Sequence, residues 1–151
     1  MRPLLRARAR AFSCRYLLYD FHGSPIRLPA VHVRISTSAS NAISSFALVD
    51  SGATVSFVPL ELAELLQVPL TGSEVDSEGA GGSFKTRLVE LRVEIIKSRS
   101  VCWSKRVNFH VPTEHNRIPY IVLGRDTVFR DYDIIFRENE QRTVFRSSRR
   151  G

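Results

Sequence analysis

Cysteine is almost missing from this 151-residue chain. The two present, Cys14 and Cys102, lie far apart with no neighbouring Cys or His at zinc-ligand spacing. They read as free thiols in a reducing compartment, and the pattern excludes a disulfide-built scaffold. Long apolar runs are missing too: nothing approaches the ~18 residues that a membrane-crossing helix needs, so no membrane span is expected. Histidine is sparse, and His22, His32, His110 and His115 show no i, i+4 pair of the kind that holds a metal on a helix, so no metal is expected. Acids are outnumbered, with 15 Asp and Glu against 22 Lys and Arg, for a formal charge of +7.

That positive charge collects at the ends. Arg2, Arg6, Arg8 and Arg10 crowd the start, while Arg142, Arg146, Arg149 and Arg150 crowd the finish. Residues 1–15 therefore read as a basic, disordered leader and 147–151 as a basic tail, around one domain over 16–146. The length suits one domain and is too short for two of ordinary size. The acid-poor start fits a mitochondrial presequence or a start codon set too far upstream, and lacks the apolar core of a secretory signal. The default expectation is cytoplasmic. Basic charge alone would permit nucleic-acid binding, but Trp103 and Phe109 share a strand parity that reads as core, and no RNA-binding motif surrounds them. No nucleic-acid partner is expected.

The interior of the chain is patterned mostly for strands. Residues 16–21 and 29–35 are apolar or alternating stretches separated by His22-Gly23-Ser24-Pro25, which is turn chemistry. After a polar turn over 36–41, Ala42–Val49 reads as a buried strand. Residues 59–66 change period, with Leu62, Leu65 and Leu66 at i, i+3 and i+4 behind a proline suited to the first helical position. The chain then reads as a long hairpin tipped by Gly79-Ala80-Gly81-Gly82, returning through Leu88, Leu91, Val93 and Ile95. A strand over 101–111, a short buried strand Ile121–Leu123, a turn of helix within 124–130 and a closing hairpin over 134–145 complete it. Many short strands with one or two short helices describe an all-β fold, a small barrel or sandwich.

Two segments carry chemistry. The strand over residues 42–49 ends in Asp50-Ser51-Gly52-Ala53-Thr54, where an acid is held by local hydrogen bonds and a glycine permits close approach. A lone Asp-Ser-Gly is usually only a turn with a side-chain hydrogen bond. Here a buried strand precedes it, a helix follows, and a glycine-rich hairpin and Leu123-Gly124-Arg125-Asp126 come later in order. Together these resemble the retropepsin family of aspartic peptidases (clan AA), the single-lobe relatives of pepsin, over roughly residues 28–146. The longer chain past Arg125 is more similar to cellular and bacterial members than to the retroviral proteases.

The resemblance implies a small closed acid-protease barrel that hydrolyses peptide bonds as a two-fold homodimer, with no cofactor. Asp50, Ser51 and Gly52 would form the catalytic motif. Ala53, the flap residues Gly79, Ala80, Gly81 and Gly82, and the wall residues Pro119, Tyr120 and Val122 would bind a protein or peptide substrate. Thr54, Gly124, Arg125 and Asp126 would support the site. The Asp-Ser-Gly motif occurs once, so its partner carboxylate must come from a second copy of the chain. Thr54 stands where retroviral enzymes carry an acid that pairs with the arginine of the Gly-Arg signature, so Arg125 needs another partner: Asp126, or an acid across the dimer. The competing reading is a catalytically inactive dimeric module of the same fold that binds peptides by strand addition.

Overall fold

Period-two alternation drives most of this chain into strands, and the computed structural model, which describes residues 8–148, is built almost wholly from them. The longest are β7 (Gly82–Lys97) and β8 (Ser100–Pro112), an antiparallel pair in register from Thr86–Pro112 to Lys97–Ser100 with one irregularity at Ile95/Ile96. Val89, Leu91, Val93 and Ile95 face Trp103, Val107, Phe109 and Val111 in the core, all buried. Leu88 has the opposite parity and is 43% exposed, outside the apolar face assigned to it from the pattern.

The other edge of β7 carries β6 (Glu74–Gly79) at one end and β4 (Ala30–Ser36) at the other. Beyond β4 lies β5 (Ala42–Val49), and β5 pairs in parallel with the short β9 (Ile121–Leu123). These six strands form one sheet around the apolar core. A two-stranded hairpin, β2 (Leu17–Phe21) and β3 (Ser24–Leu28), stands apart from it. The sequence placed only a turn and a gap where β3 forms, because its Pro25 weakens a strand pattern except on an edge. Here β3 is paired on one side only.

The helix α1 spans Leu60–Leu65, and Pro59 sits one position before it, at the N-cap, instead of opening it. Its buried side is Leu60 and Ala63, continued by Leu66, while Leu65 is 70% exposed. With only six residues, the helix turns a narrower face to the core than the Leu62, Leu65, Leu66 set suggested. Short 3-10 turns occupy Val128–Arg130 and Glu138–Glu140.

A third sheet joins the two ends of the described chain. β1 (Ala11–Arg15) pairs with β11 (Arg142–Ser147), which pairs with β10 (Tyr132–Arg137). Residues 11–15 are thus an ordered strand and not a disordered leader. The reason is Phe12, whose ring stacks on Phe145 at 4.4 Å and meets Tyr132 edge-on at 5.4 Å. Arg8 is anchored as well, by an ion pair with Asp131 at 3.1 Å. The rest of the expected leader, residues 1–7 with Arg2 and Arg6, and the tail residues 149–151 lie outside the described residues. Cys14 and Cys102 are free thiols. Among the described residues no helix is long and apolar enough to cross a membrane.

Candidate active site

Strand β5 delivers Asp50 at its carboxyl end. Two backbone contacts fix the residue there: its N–H donates to the Leu123 carbonyl at 3.0 Å, and its own carbonyl accepts from Ala53 N at 3.3 Å. The carboxylate is aimed by its own turn, because Oδ1 accepts a hydrogen bond from Gly52 N at 2.9 Å. A Cβ at position 52 would stand 3.2 Å from that oxygen, so glycine keeps the turn tight.

The loop after Asp50 is locked to the Leu-Gly-Arg-Asp segment. Phe57 and Val122 exchange both backbone hydrogen bonds at 2.9 Å, and Arg125 N donates to Ala53 O at 2.8 Å. Between them lies a hydroxyl that the sequence did not single out. Buried Ser56 accepts from Gly124 N at 2.9 Å and donates to Asp126 at 2.7 Å. Thr127, also buried, donates its hydroxyl to the Gly124 carbonyl at 2.9 Å. Gly124 is forced by space: a Cβ there would be 2.3 Å from the Val55 carbonyl oxygen. Asp126 is therefore the partner of Ser56 and not of Arg125, whose side chain is exposed and has no partner among the described residues.

Asp50 opens onto a cleft of about 840 Å³. The segment after Asp50 supplies Gly52, Ala53, Thr54 and Phe57 as its floor, and Pro119, Tyr120 and Val122 line its wall. The hairpin β6–β7 forms the roof, with Gly79, Ala80, Gly81 and Gly82 all on the cleft. Gly82 takes a φ of +100°, which lets the hairpin turn in two residues. The geometry thus brings together most of the residues singled out from the sequence. Ser51 is exposed and outside the lining, and its hydroxyl has no partner among the described residues.

The cleft wall is held by residues that gave no sequence signal, Tyr19, Phe46, Asn116 and Arg117 among them. Tyr120 belongs to an aromatic triad with Tyr19 at 5.6 Å and Phe46 at 5.9 Å, so the β2–β3 hairpin supports the cleft wall from behind. Burial, with Tyr19 and Asp50 nearby, pushes the Tyr120 hydroxyl's pKa up. The loop before Pro119 is tied at both sides. His115 meets Glu64 of α1 at 2.8 Å, Asn116 N donates to Glu61, and Arg117 donates to Ser83 O at 3.2 Å while stacking over Phe84. Among the described residues no cluster of three or more acid, His or Cys side chains could hold a metal.

Comparison with known proteins bears on this arrangement directly. No curated protein matches the chain. Among solved structures, the EIAV protease complexed with the inhibitor HBY-793 is similar: it is 20% identical, with a TM-score of 0.50, and the alignment covers 76% of this chain and 93% of that one. At that identity the likeness speaks to fold, which is retropepsin-like. A family model described as aspartyl protease matches residues 44–127, from the strand that carries Asp50 through the Ser56–Gly124–Asp126 brace to Thr127. Since that stretch is more than half of the sequence and contains the whole floor of the cleft, the chain belongs to the aspartyl protease family and is a peptidase.

Proposed function

We propose that the protein is an endopeptidase that works as a two-fold homodimer, with Asp50 of each protomer facing the other across the axis. The observation that carries this reading is the single Asp50 carboxylate at the end of β5, partly exposed on an open cleft. Two carboxylates about 3 Å apart cannot both ionise, so a pair shares one proton. The charged member takes a proton from water, which attacks the scissile carbonyl, while the neutral member protonates the carbonyl oxygen. Collapse of the resulting gem-diol returns a proton to the leaving amine and breaks the C–N bond. One chain supplies half of that apparatus, and an isologous contact supplies the rest.

The β6–β7 hairpin acts as a flap over an extended peptide, and its glycines allow close backbone approach. Pro119, Tyr120 and Val122 favour apolar side chains beside the scissile bond. Arg125 and Thr127 hold the floor through backbone and hydroxyl contacts.

The test is hydrolysis of an unstructured protein such as casein by wild type and Asp50→Asn. The substitution keeps the turn hydrogen bond from Gly52 but removes the ionisable group, so the fold should persist while cleavage falls to background. If Asp50→Asn cut as fast as wild type, the assignment would be wrong. Dimers that bind peptides and cut nothing would instead mark a peptide-binding module.

A further inference from the structure

The reaction above makes no use of His110, yet its ring borders the cleft. Its place is rigid: His110 N donates to Ser56 O at 2.9 Å, and its carbonyl accepts from Val58 N at 3.1 Å, in the segment that follows Asp50. The imidazole lies 5.7 Å from the Phe57 ring, which lies 5.9 Å from Phe84. Nδ1 is 3.1 Å from the Thr86 hydroxyl, and that hydroxyl is 2.9 Å from Ser77 Oγ on β6, two residues before Gly79 at the hairpin tip. Nε2 has no partner among the described residues.

Packing alone does not explain this ring. Thr86 and Ser77 bond each other directly, and the Thr86 hydroxyl also reaches the Val75 carbonyl at 3.4 Å, so neither hydroxyl depends on the imidazole. Burial lowers the His110 pKa against the opposing pull of Asp126, so in the neutral range the ring is a hydrogen-bonding group and not a charge. The other charges on the cleft, besides Asp50, are Asp76, Glu78 and Arg117.

We infer that His110, seated by Thr86 and flanked by Ser77, is a specificity-determining residue that receives an uncharged hydrogen-bonding side chain of the substrate, a hydroxyl or a carboxamide. The inference rests on the reading of the cleft as a peptide-binding groove, and gives it one polar subsite beside the apolar wall of Pro119, Tyr120 and Val122. Hydroxyls and carboxamides both donate and accept, so they match either neutral tautomer. An aliphatic side chain would leave Nε2 desolvated and unpaired, a discrimination of about five- to tenfold.

The experiment separates binding from cleavage. A displayed library of random peptides is selected on the Asp50→Asn protein, and in parallel on that protein carrying His110→Leu or His110→Gln, each checked by circular dichroism and melting. On the His110 protein, Ser, Thr, Asn and Gln should be enriched about five- to tenfold at one position. His110→Gln should keep that preference, and His110→Leu should exchange it for Val, Ile and Leu with other positions unchanged. A library profile on the His110 protein with no polar position overturns the inference, whatever the variants do. An identical profile on His110→Leu overturns it as well. Digestion of the same library by the Asp50 protein reports separately on catalysis: selection that depends on His110 without any digestion would sink the peptidase mechanism and leave the subsite standing.

Discussion

Gly124 occupies a place where a side chain has no room, since its Cβ would overlap the Val55 carbonyl group and crowd the Ala53 oxygen at 2.8 Å. Both neighbours are backbone and cannot swing aside. Gly124→Ala should therefore cost roughly 3 kcal/mol or more. Ser56→Ala leaves the Gly124 N–H and the Asp126 carboxylate without their partner, and should cost about 2 kcal/mol. Urea denaturation with an unchanged slope checks both, and a loss under ~0.5 kcal/mol in either would mean that the floor is not braced there. Legibility at this scale followed chemistry that is local in sequence. Asp50, Gly52 and Gly124 announce themselves through their turn and their neighbours. Ser56 and His110 do not, because a serine in a loop and a histidine in a strand acquire meaning only from groups more than 20 residues away.

Among the elements, the loop from Thr113 to Pro119 is held to α1 by two titratable contacts. Its two ties to α1 titrate in opposite senses. The Asn116 N–H bond holds the Glu61 carboxyl below its ordinary value of 4.5, so that contribution is complete above 4.5 and disappears as pH falls through the depressed value. The hydrogen bond to Glu64, with its charge, raises His115 above 6.5, so that contribution is complete below 6.5 and disappears as pH rises through the raised value. Both ties are whole only between 4.5 and 6.5. Because this loop carries Pro119 and Tyr120, KM should be lowest in that window and rise on its alkaline side. In His115→Asn the alkaline rise should be absent, and a wild-type profile in that variant would refute the clamp. Alternation placed β4, β7 and β8, and buried apolar segments placed β5 and β9, close to their observed bounds. It failed for β1 and β3, whose apolar residues are few and whose partners lie on exposed edges or at the far end of the chain.

For the whole molecule, the decisive quantity is the number of chains per active site. A dimer that assembles weakly gives activity rising with the square of enzyme concentration below its dissociation constant and linearly above it. Initial rates over a hundredfold range of enzyme, set beside sedimentation at the same concentrations, should show the two regimes changing over together. Strict linearity wherever the protein is monomeric would rule out a shared site. The sheet β1–β11–β10 also couples this architecture to synthesis. Phe12 is made early, but its stacking partner Phe145 lies on β11, and β11 is the middle strand of the sheet. During translation the strand carrying Phe12 must wait, uncovered, until residues 142–147 have left the ribosome. The contact that seals this end of the core therefore spans almost the whole described chain, and is expected to form last as the nascent protein folds.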